Sequence, residues 1–441
     1  VADPAGVSVA FDPVMTELPT WQRLDQTYNV RSWSIDRGRQ SEMTKTGTGT
    51  ATVELVDRTG AFDPTNPAGA MHNLQPLSHA AIALQSPVSP YPWSTLFRGY
   101  VSRIVWEPFQ REDAANVTLE LVDAMAVFAA AEMRLDWGND FLNGNIVFRE
   151  DLSLSAVQAR IEFILDNLGW PAGLRNIFTG NVQLQQTVYA PRSTVLQVIT
   201  DACDAEFPDI ANVYIGGPRD PGKVVFHGRF ARFKPDDVNY RIRTWQVGDD
   251  AAAAAAATTV RVSPPLQASL DDTLLYTSAL ATPQNINDGD IPGQYVEDTT
   301  ASTAKGLRTW SAENLATLGG VTSPTDSTPT DALAETRKFA DYYLQNYKTA
   351  QLRVGALTVK SRRVDGTDNS NATWDLLCGV DVSDIVQLTT THGGGGGFNT
   401  EFYVEGIHYQ ARPGGGIPYV ELTLDVSPKS AYTSNPFGTP P

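Results

Sequence analysis

The sequence predicts a β-rich α+β fold, on three observations. Glycine and proline are plentiful, 35 and 28 of 441 residues, while hydrophobic content is an ordinary 41%. Several segments alternate apolar and polar residues with period two, the pattern of half-buried strands. Long helical blocks are few, so many turns must join short strands. A chain of this length is expected to form two to four domains, each burying its own core.

Residues 1–135 read as the first domain. Gly6–Phe11 alternates Val7, Val9 and Phe11 as a short strand, and Asp25–Tyr28 reads as a turn. Thr50–Asp57 is the clearest strand. Ala51, Val53 and Leu55 share one face, and Thr50, Thr52 and Glu54 the other. Gly47 and Gly49 punctuate its start, and Arg58-Thr59-Gly60 its end. Asp63-Pro64 and Asn66-Pro67 then force extended geometry, because proline pushes the preceding residue out of the helical region. Leu74–Gln85 and Phe97–Trp106 read as strands around the proline-rich loop Ser86–Pro92. Val117–Val122 sets Val117, Leu119 and Leu121 on one side, and Asp123 opens a helix over Ala124–Met133. Short strands joined by Gly/Pro turns predict a closed or nearly closed β-barrel.

Residues 136–240 read as a small α+β domain. Ser155 and Gln158 have capping-box spacing beside Val157, Ile161, Ile164, Leu165 and Leu168, which trace one helical face. Gly169 ends that helix and Trp170-Pro171 prevents its return. Thr194 and Gln197 repeat the capping register ahead of a helix to Glu206, and Lys223–Phe230 is a strand. Residues 241–347 read as an irregular α+β linker region. The alanine run Ala251–Ala257 is a helix or a low-complexity linker, with Asp249-Asp250 suited to a helix N-terminus. Asp271–Ala304 is expected to be irregular, and Ser323–Thr330 a loop. A helix over Asp331–Tyr347 puts Leu333, Ala340, Tyr343, Leu344 and Tyr347 on one face.

Residues 348–428 are β again, with strands over Leu352–Ser361, Val382–Thr390, Phe402–Gln410 and Tyr419–Val426. His392–Gly397 is expected as a flexible hairpin tip, and 429–441 as a loosely ordered polar tail. There is an internal echo. Phe97–Ile104 precedes Val117–Val122 by a modest gap, as Phe402–Tyr409 precedes Val420–Val426. Short alternating strands are common, so coincidence stays open beside the reading of two related barrels.

Charge and cysteine usage bound the function. The net charge of −17 and pI near 4.7 argue against binding nucleic acid by phosphate neutralisation. Acidity serves solubility, or lines a conduit that repels DNA. Two cysteines, Cys203 and Cys378, are too few for a disulfide scaffold. Cys203 lies at helical spacing from Leu196 and Ile199, as a small core residue would. Val1–Pro13 has neither the basic start nor the apolar core of a signal peptide. No apolar run approaches the roughly 20 residues that span a bilayer, so a soluble chain is expected.

No catalytic, cofactor-binding or metal-ligating residue is nominated. H-E-x-x-H, G-x-S-x-G and G-x-x-x-x-G-K-[ST] are missing from the sequence. His72, His79, His227, His392 and His408 are scattered, without ligand spacing, and read as structural or solvent-exposed. Gly393–Gly397 lacks the Lys-Ser/Thr and following helix of a phosphate loop. Asn285–Asp290 and Asp365–Asn371 are oxygen-rich like calcium loops, but neither keeps the EF-hand spacing and its terminal Glu. Turn chemistry is the commoner use of such residues.

Residues 32–67 carry a family resemblance. The segment runs Ile35, Arg37, Gly38, Arg39, Glu42, then Gly49-Thr50-Ala51-Thr52-Val53, Leu55, Asp57-Arg58, Gly60 and Phe62-Asp63-Pro64-Thr65-Asn66. It resembles the N-terminal region of minor tail proteins of long-tailed bacteriophages, grouped with tail-tip or baseplate hub proteins. Ser302, Gly306 and Arg308 also fit a hub-type S-x-x-x-G-x-R turn ahead of a helix. The resemblance implies two tube-like β-barrel domains, over 1–135 and 348–428, separated by α+β insert regions. It implies a homotrimer whose six barrels match a sixfold tail tube, at the distal end of the virion tail. Implied partners are a distal tail ring or tail tube protein above, a tape-measure protein in the lumen, and other minor tail or receptor-binding proteins below. No specific nucleic acid, membrane span or cofactor is implied.

Three readings of function follow. The first is a structural hub that closes or guides a DNA channel. The second is a cell-wall-degrading enzyme, for which a carboxylate pair would need a set spatial separation. The third is a glycan- or protein-binding module using Trp93, Trp106 and Trp137.

Overall fold

The computed structural model describes residues 5–24, 29–88, 90, 92–108, 114–137, 140–142, 145–148, 156–234, 237–270, 272–284, 293–320, 329–361, 371–391, 397–412, 419–432 and 436. The fold is a β-rich α+β one. The strands are β1 (Ala5–Ala10), β2 (Gln22–Arg23), β3 (Asn29–Gly38), β4 (Thr50–Asp57), β5 (His79–Gln85), β6 (Trp93–Glu107), β7 (Ala115–Val122), β8 (Asp140–Leu142) and β9 (Asn145–Phe148). There follow β10 (Arg175–Ile177), β11 (Val182–Leu184), β12 (Thr187–Tyr189), β13 (Asn212–Ile215), β14 (Val224–His227), β15 (Thr244–Gly248), β16 (Val260–Arg261), β17 (Ala268–Leu270) and β18 (Ser278–Pro283). The last are β19 (Gln294–Glu297), β20 (Thr309–Leu315), β21 (Thr317–Gly320), β22 (Leu352–Val354), β23 (Ala356–Lys360), β24 (Ile385–Thr389), β25 (Asn399–Arg412) and β26 (Tyr419–Pro428). The α-helices are α1 (Ala124–Ala130), α2 (Val157–Leu168), α3 (Val195–Glu206), α4 (Asp250–Ala255), α5 (Thr299–Lys305), α6 (Pro329–Tyr347) and α7 (Asn371–Gly379).

One 13-stranded sheet runs β16-β15-β24-β25-β3-β4-β7-β6-β5-β1-β2, with β26 and β23 branching from β25. The strands of the N- and C-terminal regions therefore share a single hydrogen-bonded sheet. The join is β25. One edge pairs with β26 along its length. The other pairs with β24 through Asn399–Tyr403 and with β3 through Gly406–Ala411. The change of partner falls at Glu405, where the β25–β26 register shifts between Val404 and Gly406. A β-bulge of this kind bends a strand and re-aims its side chains.

Period two explains what is buried. In β4, Ala51, Val53 and Leu55 are buried while Thr50 and Glu54 are exposed. Val117, Leu119 and Leu121 of β7 face the same core, as do Val420, Leu422 and Leu424 of β26. The edges have partial covers. β2 pairs with β1 through Ser8↔Arg23 and Val9↔Gln22. Beyond β16, the Ser263 N–H donates to the Thr358 carbonyl of β23 at 2.7 Å.

A second core gathers α1, α2, α3 and α6 with the small sheets of the middle region. Thr194 caps α3, accepting the Gln197 N–H at 3.1 Å. Gly169 ends α2 in the left-handed region at φ 77°. Along α6, Ala340, Tyr343 and Tyr347 are fully buried, as are Phe339 and Tyr342.

Several expectations are corrected. The N-cap of α2 is Ala156, with no side-chain bond; Ser155 lies outside the described residues, and Gln158 instead accepts the Gly180 N–H at 2.8 Å. The alanine run is a helix in its first part, capped by Asp249 through the Ala252 N–H. The stretch expected to be irregular holds β18, β19 and α5. Its strands are built of small residues, with Ala279 and Ala281 fully buried. Around Gly306 the helix precedes the turn and strand β20 follows it. The linker region lends β15 and β16 to the main sheet. The strand over Leu352–Ser361 breaks at Gly355, and α7 was not expected at all. The C-terminal tail is anchored at its start, where Tyr432 is buried against Tyr403 and Arg232.

Candidate functional site

The residues of the 32–67 segment converge on a buried ionic seam. β3 ends at Gly38 with φ 95°, a conformation that favours glycine. Arg37 and Arg39 flank it, and both are about 5% exposed. Arg37 Nη1 donates to Asp381 Oδ1 at 2.9 Å. Asp381 also accepts the Gly217 N–H at 3.1 Å, so it ties β3 to the 216–219 turn. Arg219 donates to Asp384 Oδ1 at 2.7 Å, and Trp245 Nε1 to Asp384 Oδ2 at 3.0 Å.

Glu405 is the centre of the seam. It is fully buried. Arg39 Nε donates to Oε2 at 2.7 Å, and Arg232 donates to both oxygens at 2.6 and 2.8 Å. Ser427 completes the set with a bond to Oε1. Burial opposes ionisation, but the charges of Arg232 and Arg39 outweigh it and hold the carboxyl down at about 2. Arg232 also lies over the Tyr403 ring, 4.6 Å from its centroid. Glu42 takes a two-pronged bond from Arg353 at 2.7 and 3.2 Å. Arg229 bridges Glu206 at 3.3 Å and Glu335 of α6. The seam thus joins β3, the 206–232 region, α6 and the C-terminal strands.

Such pairs add little net stability, but removal of one partner leaves an uncompensated buried charge. The second half of the same segment builds the turn after β4. Asp57 accepts the N–H groups of Thr59 and Phe62 at 2.9 and 2.8 Å. Asn66 Nδ2 donates to the Gly60 carbonyl at 3.0 Å.

The individually considered residues fall in different places. His408 of β25 lies between Asp425, at 2.8 Å, and Asp36, at 3.2 Å. Hydrogen bonds from its ring to Asp36 and Asp425 raise its pKa to about 10. His79 is buried, bonded to the Pro13 carbonyl at 2.8 Å, and burial lowers its pKa. His227 is buried among aromatic rings, and His72 is exposed. Cys203 and Cys378 are buried free thiols, and burial pushes Cys378 up to about 12. Trp93 is 40% exposed and Trp106 partly buried, but Trp137 is 7% exposed, which removes it from any surface role. His392, Asn285–Asp290, Asp365–Ser370 and Gly393–Gly396 lie outside the described residues. Among the described residues no group of three or more His, Cys, Asp or Glu is placed to hold a metal ion. Among them too, no helix is long and apolar enough to cross a membrane.

Arg37, Arg39 and Glu42 were visible in the sequence as a motif. Their partners Asp381, Glu405 and Arg353 were not, since they lie 311 to 366 residues away.

No protein-family model and no curated protein matches the sequence. Solved structures do match. The tail protein from Neisseria meningitidis MC58 superposes with a TM-score of 0.54 at 11% identity, covering 97% of this chain and 99% of its own. The prophage MuSo2 43 kDa tail protein from Shewanella oneidensis gives 0.50 at 10% identity, with 98% of each chain covered. A chain of the Francisella PdpA–VgrG complex gives 0.50 at 7% identity; there this chain is covered over 97% but spans only 52% of the other. The fold is that of phage tail proteins, in agreement with the resemblance carried by residues 32–67.

Proposed function

We propose that this chain is a structural subunit of a phage tail tip, assembling as a trimeric hub that joins the tail tube to host-facing proteins. The observation that carries this reading is the end-to-end likeness to the Neisseria tail protein, over 97% of this chain and 99% of that one. In this reading the sheet curls into two barrels that share the β3–β25 join. The first uses β1 to β7, with β2 lying on β1. The second uses β15, β16 and β23 to β26, and the Ser263–Thr358 bond supports its closure. Domains then fall at 1–135, 136–240, 241–347 and 348–428, with the second barrel drawing two strands from the linker region.

The work of such a hub is mechanical. Closed rings leave few strand edges open to unwanted pairing, and rotational symmetry fixes the lumen. Tail tube or distal ring protein would stack above, a tape-measure protein would occupy the lumen, and other minor tail proteins would attach below. The ionic seam would keep the two barrels in one orientation under load. The test is sedimentation of the purified chain together with negative-stain imaging. Three copies around a central channel are expected. A stable monomer or a hexamer would overturn the reading.

A further inference from the structure

A cleft of about 550 Å³ opens in the middle region between residues 177–181 on one side and residues 230–234 and 237–240 on the other. One wall is aromatic. The rings of Phe178 and Tyr240 lie 5.0 Å apart, with planes tilted by 51°. Behind them sits buried His227, 5.2 Å from Phe178 and 5.6 Å from Tyr240. Burial, helped by Arg219 and Arg232, lowers its pKa to about 3, so this backing is neutral.

Beside Ile177 and Phe230, the remaining described lining is polar. Thr179, Asn181, Asp237 and Asn239 line the cleft. Among the described residues, the Thr179 hydroxyl, the Asn181 and Asn239 amides and the Tyr240 phenol make no hydrogen bond within the protein. One oxygen of Asp237 accepts the Asn239 N–H at 2.9 Å, and among the described residues the other has no hydrogen-bond partner. The floor is preset by Glu206. Its carboxylate accepts the Asn181 and Val182 N–H groups at 3.0 Å and the Arg229 N–H at 3.4 Å. The 180–182 turn and the 228–230 turn are thereby fixed to one another.

We propose that this cleft binds a neutral pyranose sugar, stacked on Phe178 and Tyr240 and hydrogen-bonded through Asn181, Asp237 and Asn239. A pyranose has an apolar C–H face and a rim of hydroxyls that both donate and accept. Side-chain amides supply both functions, and a carboxylate accepts two hydroxyls at once. An apolar wall with a few converging polar groups, in a volume of this size, is the usual form of a small-ligand site. A nucleotide fits less well. Among the described lining residues Lys234 is the single cation, and phosphate binding calls for clustered positive charge. The inference stands apart from the assembly reading, since every residue it uses comes from one copy.

The test is saturation-transfer NMR on the intact chain with the methyl glycosides of glucose, galactose, rhamnose and N-acetylglucosamine, and with AMP as comparison. At least one glycoside is expected to take up saturation at its ring C–H protons. Tyr240→Ala should weaken binding about tenfold, the loss of one stacking contact. Asn239→Ala, at an exposed position, should weaken it while leaving the circular dichroism spectrum unchanged. Trp93→Ala, elsewhere on the surface, should leave it intact. Failure of all four glycosides, equal saturation in Tyr240→Ala or Asn239→Ala, or a response to AMP that Tyr240→Ala alone removes would each overturn the proposal. Oligomeric state is read separately, so a failure here is distinguishable from a failure of the hub reading.

Discussion

Gly38 lies against the backbone carbonyl of Glu405 so closely that a Cβ at position 38 would stand 2.2 Å from its oxygen. The same residue holds φ 95°. Gly38→Ala therefore strains the backbone and pushes β3 off the bulge of β25. A loss of about 1–3 kcal/mol is expected from the backbone conformation alone. Gly47→Ala is the control, because nothing lies within 4 Å of its added Cβ. Urea unfolding of the two variants measures the difference.

Glu405→Gln keeps the shape of the side chain and removes its charge. Arg39 and Arg232 then share a buried site without a counter-ion. Breaking a buried ion pair in this way costs about 3–5 kcal/mol. The expected outcome is a lowered midpoint in thermal unfolding, with Arg39→Met in the same background restoring part of the loss.

Stability should fall at both ends of the pH range, through two ionisable groups of β25, Glu405 and His408. Glu405 titrates near 2 in the fold against an ordinary 4.5, so its contribution is full above about 4.5 and is lost as pH drops through 2. His408 titrates near 10 against an ordinary 6.5, so its contribution is full below about 6.5 and is lost as pH rises through 10. Thermal unfolding between these limits should show the plateau. His408→Gln should flatten the alkaline limb and leave the acid limb in place.

Asp57→Ala removes the acceptor for the Thr59 and Phe62 N–H groups in the turn after β4. A cost of about 1–3 kcal/mol is expected for the buried Phe62 N–H that loses its partner. Hydrogen exchange at Thr59 and Phe62 should accelerate more than exchange in β7.

Local pattern made part of this fold readable. β4, β7 and β26 alternate cleanly, so their buried faces could be named residue by residue. Thr194 announced α3 because a cap and its helix lie within one turn. β18 escaped because Ala279 and Ala281 carry little hydrophobic signal, although both are fully buried. α7 escaped because it follows a run of Asp, Asn and Ser that reads as turn. The seam was half readable. Arg37, Arg39 and Glu42 stand in one short motif, but nothing local to them points to Asp381, Glu405 or Arg353. The cleft beside Tyr240 was unread for the same reason, since its walls come from segments about 60 residues apart in the chain and only folding brings Phe178 to Tyr240.

The pairing of β3 with β25 also sets a timetable for the newborn chain. Arg39 and Glu405 are 366 residues apart, which is about 20–70 s of ribosomal synthesis. Throughout that interval β3 has a partner on one edge only, and Arg39 waits without its carboxylate. Contacts this distant are slow to form and expose sticky intermediates. Recombinant production should therefore respond to lower temperature or added chaperones far more than to changes on the finished surface.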